Sequence, residues 1–337
     1  MTEIAKTLSD TTLGPPASHR NLRVFPLLRP HAPPPDYLTL DEALEAGLAR
    51  VTEVSEGGSV PELRFVNGAD KPVLLVDGEE LVGAKQNRTL NVTVLVGPKQ
   101  TVVIPVTCVE QGRWSYRSAE FRTARRAHFA RARAAKAAHV SESLRTRGDR
   151  RADQGLVWEQ IAAKAARLGA HSPTGAMDEI YERHRGTVEE YERALPAVAG
   201  QAGAVFAIGR HVVGLDLFDA PETLRALWPK ILSSYAVDAI DWPDENPGRE
   251  DEVARAVEAF LGAVAESPVD RFPSLGLGED LRLRAPGLAG GALWALGRVV
   301  HLGAFALEAV SHEPGHPRRR GGMARASRRR QGRFAAR

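Results

Sequence analysis

Leu90-Asn91-Val92-Thr93-Val94-Leu95-Val96, a break at Gly97-Pro98, and Thr101-Val102-Val103-Ile104-Pro105-Val106-Thr107-Cys108-Val109 form the stretch on which the fold turns. In the first run Leu90, Val92, Val94 and Val96 alternate with Asn91 and Thr93, the period of two that a strand with one buried face requires. The second run is apolar at nearly every position and predicts a central strand, with Pro105 marking a bulge or an unpaired side. Dense polar clusters bracket the pair: Glu79, Glu80, Lys85, Gln86, Asn87 and Arg88 before it, Glu110, Gln111, Arg113 and Trp114 after it. Solubility alone asks only for scattered Lys, Glu and Ser, so this concentration of carboxylates, amides and guanidinium groups at strand ends predicts a ligand site.

Working outward, Asn67-Gly68 and Asp77-Gly78 supply the positive φ of tight turns and predict a meander of strands at 62–66, 73–76 and 81–82. Thr39 is placed to cap a short helix, Asp153 to cap a helix with Val157, Ile161, Ala165 and Leu168 on one face, and Ser172-Pro173 to open another. Residues 117–151 carry eleven basic and three acidic residues with no apolar face, which predicts a solvated helix or linker. A second β region starts near Ala204. Its hairpin at 207–214 shares a glycine spacing with Gly78 to Gly83 and, more loosely, with 295–301, so three related hairpins are expected in one sheet system. Helices are expected at 222–240 and 249–264, and residues 291–310 as two buried strands.

Strand regions at both ends with helices inserted between them predict an α+β fold, a β-rich layered sheet or sandwich. The expected organisation is a flexible lead over 1–20, one composite domain over 21–310 with a helical insertion at about 117–200, and a disordered Arg-rich tail over 311–337.

The net charge of +3 misleads: residues 317–337 hold nine arginines and no acids, leaving 36 basic against 42 acidic residues in 1–316. A nucleic-acid partner is therefore expected only through the tail. Without a signal-peptide pattern, and with one cysteine inside an apolar strand, the expected compartment is the cytoplasm. Gly291 to Val310 is too charged and glycine-rich to cross a bilayer, so no membrane partner is expected.

Lys85, Gln86, Asn87 and Arg88 offer two cations and two amides suited to phosphate or carboxylate and to hydroxyl groups; Gln111, Arg113 and the flat face of Trp114 suit a nucleotide or sugar. Asp216 and His301 lie in otherwise apolar strands, where a carboxylate or imidazole needs a partner or a task. His312-Glu313-Pro314-Gly315-His316 has the letters of the H-E-x-x-H zinc signature, but Pro314 and Gly315 break the helix that would set both imidazoles on one face, and no metal site is read there. Walker, complete G-x-G-x-x-G and G-x-S-x-G motifs are missing, so the sequence names no cofactor.

Residues 74–88, Leu74-Leu75-Val76-Asp77-Gly78-Glu79-Glu80-Leu81-Val82-Gly83-Ala84-Lys85-Gln86-Asn87-Arg88, and residues 104–114, Ile104-Pro105-Val106-Thr107-Cys108-Val109-Glu110-Gln111-Gly112-Arg113-Trp114, resemble the ADP-ribosylglycohydrolase (ARG) and rhodanese-phosphatase associated protein domain. Asp153-Gln154 with Val157-Trp158, Val213 to Phe218, and Val300-His301-Leu302 extend the resemblance over roughly 20–310. It implies the company of ADP-ribose-processing and NAD-linked enzymes and leaves the family's own chemistry unassigned.

The expected function is binding or processing of an ADP-ribose- or NAD-derived, nucleotide-like metabolite, with Lys85 and Arg88 on the diphosphate. If there is turnover, hydrolysis or transfer is expected, Glu80 or Glu110 acting as general base and His301 as acid or orienting group. The alternative is a non-catalytic module that recognises a protein or modified side chain, which predicts a flat surface around 79–88 and 110–116.

Overall fold

Two of the three glycine-punctuated hairpins fall side by side in one antiparallel sheet of the computed structural model, which describes residues 1–242 and 248–307. From the N-terminus come α1 (Glu3–Ser9), β1 (Thr12–Leu13), β2 (Ala17–His19), β3 (Leu22–Leu28), β4 (Leu38–Thr39), α2 (Leu40–Glu45), β5 (Ala49–Glu53) and β6 (Glu62–Asn67). The middle of the chain supplies β7 (Val73–Leu75), β8 (Glu79–Gly83), β9 (Arg88–Leu90), β10 (Val94–Val96), β11 (Thr101–Cys108), β12 (Phe121–Ala127), α3 (Ala130–Arg147), α4 (Gln154–Arg167), α5 (Asp178–Arg183) and α6 (Arg185–Ala194). Last are β13 (Gln201–Ile208), β14 (His211–Phe218), α7 (Pro221–Asp241), α8 (Glu250–Glu266), β15 (Val269–Pro273), β16 (Glu279–Leu283), β17 (Leu288–Ala295) and β18 (Arg298–Ala306). The expected α+β class holds.

The large sheet runs β1-β3-β13-β14-β18-β17-β16-β15, with β2 also on β3, so N- and C-terminal strands share one layer. Period-two alternation gives each face its own helices. Phe206 and its neighbours meet α7, where Phe206 stacks on Tyr235 at 3.8 Å between ring centres. The opposite face takes α1 and α8, the latter through Val253, Val257, Phe260 and Val264. Those four side chains follow the i, i+4, i+7, i+11 stripe of a helix buried on one side, and each contributes about 1.5–3 kcal/mol of burial. The N-terminal segment, read as a flexible lead, carries α1: Thr2 caps it, and Ile4 is buried in the core that includes α8.

A six-stranded sheet, β12-β8-β9-β11-β6-β5, and a three-stranded one, β10-β7-β4, complete the β structure. The expected meander is absent: β6 pairs with β5 and β11, β7 with β10 and, in parallel, β4, and β8 with β9 and β12. Asn67-Gly68 and Asp77-Gly78 therefore pass the chain between sheets, and Gly78 and Gly83 bracket a single strand, β8, of the six-stranded sheet. The 90–96 run is likewise split into β9 and β10, placing Thr93 between them. The caps at Thr39 and Asp153 form as expected, the first as a full capping box with Glu42.

The largest departure is α3. Expected in solvent, it packs against β17, β18 and α7, with Arg131, Arg133 and Lys136 at most 1% exposed. Ala130, Ala132, Ala134 and Ala137 let its backbone approach closely, which is why it needs no stripe of large apolar residues. The 312–316 motif and the Arg-rich tail lie outside the described residues.

At Gly290 the backbone φ is +136°, and an added Cβ would fall on the Gly303 carbonyl oxygen of the neighbouring strand. Gly290→Ala is expected to destabilise the protein by more than about 1 kcal/mol, from unfavourable φ and the clash together. Urea unfolding of the two proteins measures it.

Candidate active site

Arg133 decides what gathers around it. Its side chain is fully buried, and a guanidinium cannot shed its proton, so the fold must supply anions. Two arrive. Nε and Nη2 donate to Asp77 Oδ2 and Oδ1 at 3.3 and 3.2 Å, while Nη1 and Nη2 donate to Asp216 Oδ2 and Oδ1 at 3.0 and 2.6 Å. One planar fork thus holds two carboxylates. Gly78 makes this approach possible: at φ +88° it has no side chain, and a Cβ there would lie 2.8 Å from Arg133 Cδ and Nε.

Asp216 is in the middle of β14 and His301 in the adjacent β18, where the imidazole stacks on Phe218 at 4.6 Å. His301 Nε2 is 3.2 Å from Asp216 Oδ1, and Tyr235 from α7 donates to Asp216 Oδ2 at 3.0 Å. On the other side of the ring, Nδ1 is 2.9 Å from Thr93 Oγ1, and that oxygen accepts the Asp77 backbone N–H at 3.1 Å. An ionised Asp216 only accepts, so Nε2 carries a hydrogen, and in the neutral ring Nδ1 then faces the Thr93 hydroxyl as acceptor. The result is a hydroxyl–imidazole–carboxylate relay.

Burial by itself would raise the Asp77 and Asp216 carboxyls. Arg133 outweighs it in both, with help from His301 and, at Asp77, Lys136, and holds them below the usual carboxylate range. The same pairs keep Arg133 charged although burial opposes it. Lys136, one turn further along α3, donates to the Leu90 carbonyl and, at 3.3 Å, to Thr89 Oγ1; burial pushes its ammonium down to about 7, against the pull of Asp77.

Asp77, Thr93 and His301 line a crevice whose other wall includes Asn91, Asp280 and Arg282. The space beside His301 is about 20 Å³, room for about one water, within an opening of about 370 Å³ counted out to solvent. A substrate can present an end group here, not its whole body. Gly303 keeps the floor open, since a Cβ there would stand 3.5 Å from His301 Cε1 and 3.7 Å from both Asp216 Oδ1 and Asp77 Oδ1.

Of the residues singled out in the sequence, only Asp216 and His301 belong to this constellation. Most of the others form a separate knot between the 83–88 turn and the 110–117 segment, while Glu79 pairs with Lys230 of α7. Arg113 donates to Glu110 Oε2 at 2.6 Å, to Asn87 Oδ1 at 3.1 Å and to the carbonyls of Gly83, Ala84 and Ser115. Glu110 also accepts from Asn87 N and Thr174 Oγ1, which with Arg113 holds its carboxyl below the ordinary value against burial. Gln86 bridges the Glu110 carbonyl and Arg88 Nη1, and Lys85 Nζ donates to the Glu56 and Gly57 carbonyls at 2.7 Å each. Arg88 is fully buried under Trp114, its Cζ 5.6 Å from the ring centre. Gln111 lines a different surface groove, with Trp158 and His171. Lys85, Gln86, Asn87, Arg88, Arg113 and Glu110 are buried, so the exposed part of the 79–88 and 110–116 segments lies in the second, at Gln111, Gly112, Trp114, Ser115 and Tyr116, with the half-exposed rings of Trp114 and Tyr116 each about 5 Å from Lys85 Nζ. The crevice is lined by none of the residues from 79–88 or 110–114.

Glu80 is apart again. It is fully buried, neither carboxylate oxygen accepts a hydrogen bond among the described residues, and burial pushes it up to about 8 although Arg126 Nε is 3.6 Å away. Cys108 sits in the core with its thiol raised by burial, which does not favour the nucleophilic thiolate. Among the described residues no group of three or more His, Cys, Asp or Glu is arranged to hold a metal ion, and no helix there is long and apolar enough to cross a membrane.

Sequence reading missed Asp77, Thr93, Arg133, Lys136 and Tyr235. In the sequence Asp77 reads as a turn former and Thr93 as a polar member of an alternation, and Arg133 and Lys136 belong to a stretch expected in solvent. The available signal was the run of small residues around Arg133, which permits close packing of the helix.

Two outcomes follow from these charges. Arg133→Met leaves Asp77 and Asp216 buried without their cation and is expected to cost about 3–5 kcal/mol in urea unfolding. Glu80 holds a proton in the folded state that the unfolded chain releases from its ordinary value near 4.5 upward, so its contribution is full below pH 4.5 and is lost as pH rises through about 8. Glu80→Gln does not titrate; its stability relative to the unsubstituted protein is expected to rise by a few kcal/mol, of the order of 1.4 per pKa unit, between pH 5 and 8. Denaturant unfolding at a series of pH values checks it.

No curated protein and no solved structure matches the chain. A family model, the ARG and Rhodanese-Phosphatase-superfamily-associated Protein domain, matches residues 10–305, a span that includes the crevice, the Arg133 cluster and the knot around Glu110. The chain belongs to that family.

Proposed function

We propose that Thr93, His301 and Asp216 carry out acid–base catalysis of a hydrolytic or transfer reaction on an ADP-ribose- or NAD-derived metabolite. The alignment of Thr93 Oγ1, His301 and Asp216 at 2.9 and 3.2 Å is the observation that supports the chemistry. The substrate class rests on the family's association by name with ARG proteins. In this reading the protein works in the cytoplasm, which its one buried thiol suits, beside ADP-ribose-processing enzymes.

His301 Nδ1 takes the hydroxyl proton as Thr93 Oγ1 attacks the electrophilic centre. The bond to the leaving group breaks, and the leaving group accepts that proton from the imidazole. An incoming water, or the hydroxyl of an acceptor, then gives its proton to Nδ1, bonds to the transferred group and frees Thr93, whose oxygen recovers the proton. Asp216 stabilises the imidazolium formed in each step, and Arg133 with Tyr235 fixes the carboxylate. The Asp77 N–H, aimed at Thr93 Oγ1, stabilises the oxygen as it becomes negative. Residues 85–88, Glu110 and Arg113 serve as scaffold.

The test is incubation with ADP-ribose, NAD and nicotinamide mononucleotide, with products separated by chromatography. His301→Ala is expected to lower kcat about 10²–10⁴-fold, Thr93→Val to remove turnover and Thr93→Ser to retain part of it. Turnover indifferent to His301→Ala overturns the catalytic assignment, and no turnover of any of the three overturns the substrate class.

A further inference from the structure

The register of the large sheet sets four residues in one row. Arg282 of β16 is opposite Gly291 of β17, Gly291 is opposite Gly303 of β18, and Gly303 is opposite Asp216 of β14. Residues paired across antiparallel strands point to the same face, so a guanidinium and a carboxylate stand at the ends of a row whose two inner positions have no side chains. Three strand spacings separate the ends by about 14 Å between Cα positions. A Cβ on Gly291 would lie 3.2 Å from Arg282 Cδ, which shows that the arginine stem bends along the row toward the relay. Arg282, Gly291, Gly303 and His301 all line the crevice.

Arg282 is held but not used up. Its Nε is 2.7 Å from Asp280 Oδ1, and Nη2 donates to Asp280 Oδ2 at 2.9 Å. The same Asp280 oxygen receives Arg150 Nε at 3.1 Å, so one carboxylate is shared by two guanidinium groups, while Asp77, the other carboxylate lining the crevice, is held by Arg133. Among the described residues the Nη2 bond is the one hydrogen bond this guanidinium makes: Nε, although close to Asp280, is a buried nitrogen without a hydrogen-bond partner, and Nη1 donates to none, in a residue only 6% exposed. A nearly buried guanidinium with N–H groups left over at the wall of a crevice is suited to an oxyanion.

We propose that Arg282 grips an oxyanion of the substrate, a phosphate or a carboxylate, in the glycine-floored trough that leads to His301. The assignment rests on the catalytic reading of the same crevice and narrows its substrate to one with an anionic group a few bonds from the reacting centre. Asp280 orients the guanidinium so that Nη1 points into the trough. Arg282 is a binding residue in this scheme and takes no part in proton transfer.

Binding of inorganic phosphate, and separately of acetate, to the full-length protein at fixed ionic strength tests it by calorimetry. Phosphate is expected to bind both the unsubstituted protein and His301→Ala, and to bind Arg282→Gln at least about tenfold more weakly; the ratio of phosphate to acetate affinity states which oxyanion the trough prefers. Arg282→Lys, which keeps charge and stem but loses the fork, is expected to fall between the two and decides the matter if Arg282→Gln melts early. Equal phosphate affinity in the unsubstituted protein and both Arg282 variants overturns the anion assignment. Turnover that needs His301 while phosphate binding ignores Arg282 removes this proposal and leaves the relay intact; phosphate binding that needs Arg282 in a protein whose turnover ignores His301 does the reverse.

Discussion

A guanidinium with no access to water must find its counter-charges inside the protein, and in this chain that requirement ties the layers together. Arg133 takes one carboxylate from the turn after β7 and one from the centre of the large sheet, so the small sheets, α3 and the large sheet meet at a single side chain. His301, Tyr235 and Thr93 are attached to those carboxylates directly or through the adjacent backbone. Stability alone does not account for such an arrangement. Well-packed apolar residues in place of a buried ion triad are often neutral or better by about 1–4 kcal/mol, because the desolvation of three charges offsets their attraction. What the charges do supply is a fixed carboxylate behind an imidazole, at a place where geometry matters more than net energy.

The two polar constellations of the molecule differ in whether their groups face one another or an opening. Around Glu110 and Arg113 the groups bond chiefly to one another, to Asn87, to Thr174 and to loop carbonyls, with Arg88 Nε and Nη2 and Arg113 Nε left over but buried, which makes that knot a brace for the strand ends. Around His301 the groups converge on an opening, and the glycines at 291 and 303 keep the opening from being filled. Residue type alone cannot separate these cases. Amides, guanidinium groups and carboxylates crowd both, and the distinction lies in which of them face each other.

That is why the sequence was informative about class and less so about the site. The α+β class, the β13–β14 and β17–β18 hairpins and the caps at Thr39 and Asp153 depend on local patterns, and local patterns are legible. Asp216 and His301 stood out because a charged or imidazole group in an apolar strand is anomalous wherever the strand ends up. Thr93 and Asp77 did not, because a threonine in an alternation and an aspartate before glycine are ordinary, and their roles arise from strands that diverge into different sheets. The burial of α3 was hidden for a related reason: an Ala-rich helix with arginines reads as solvated until a carboxylate 83 residues further on is known to meet Arg133.

That separation has a bearing on how the protein is made. Arg133 leaves the ribosome after Asp77 but 83 residues ahead of Asp216, and His301 follows Asp216 by another 85. At translation rates of about 5–20 residues per second, the arginine waits on the order of ten seconds for its second counter-ion. Until then α3 has no reason to leave water, and the relay cannot be assembled in a nascent chain that stops short of the last strand.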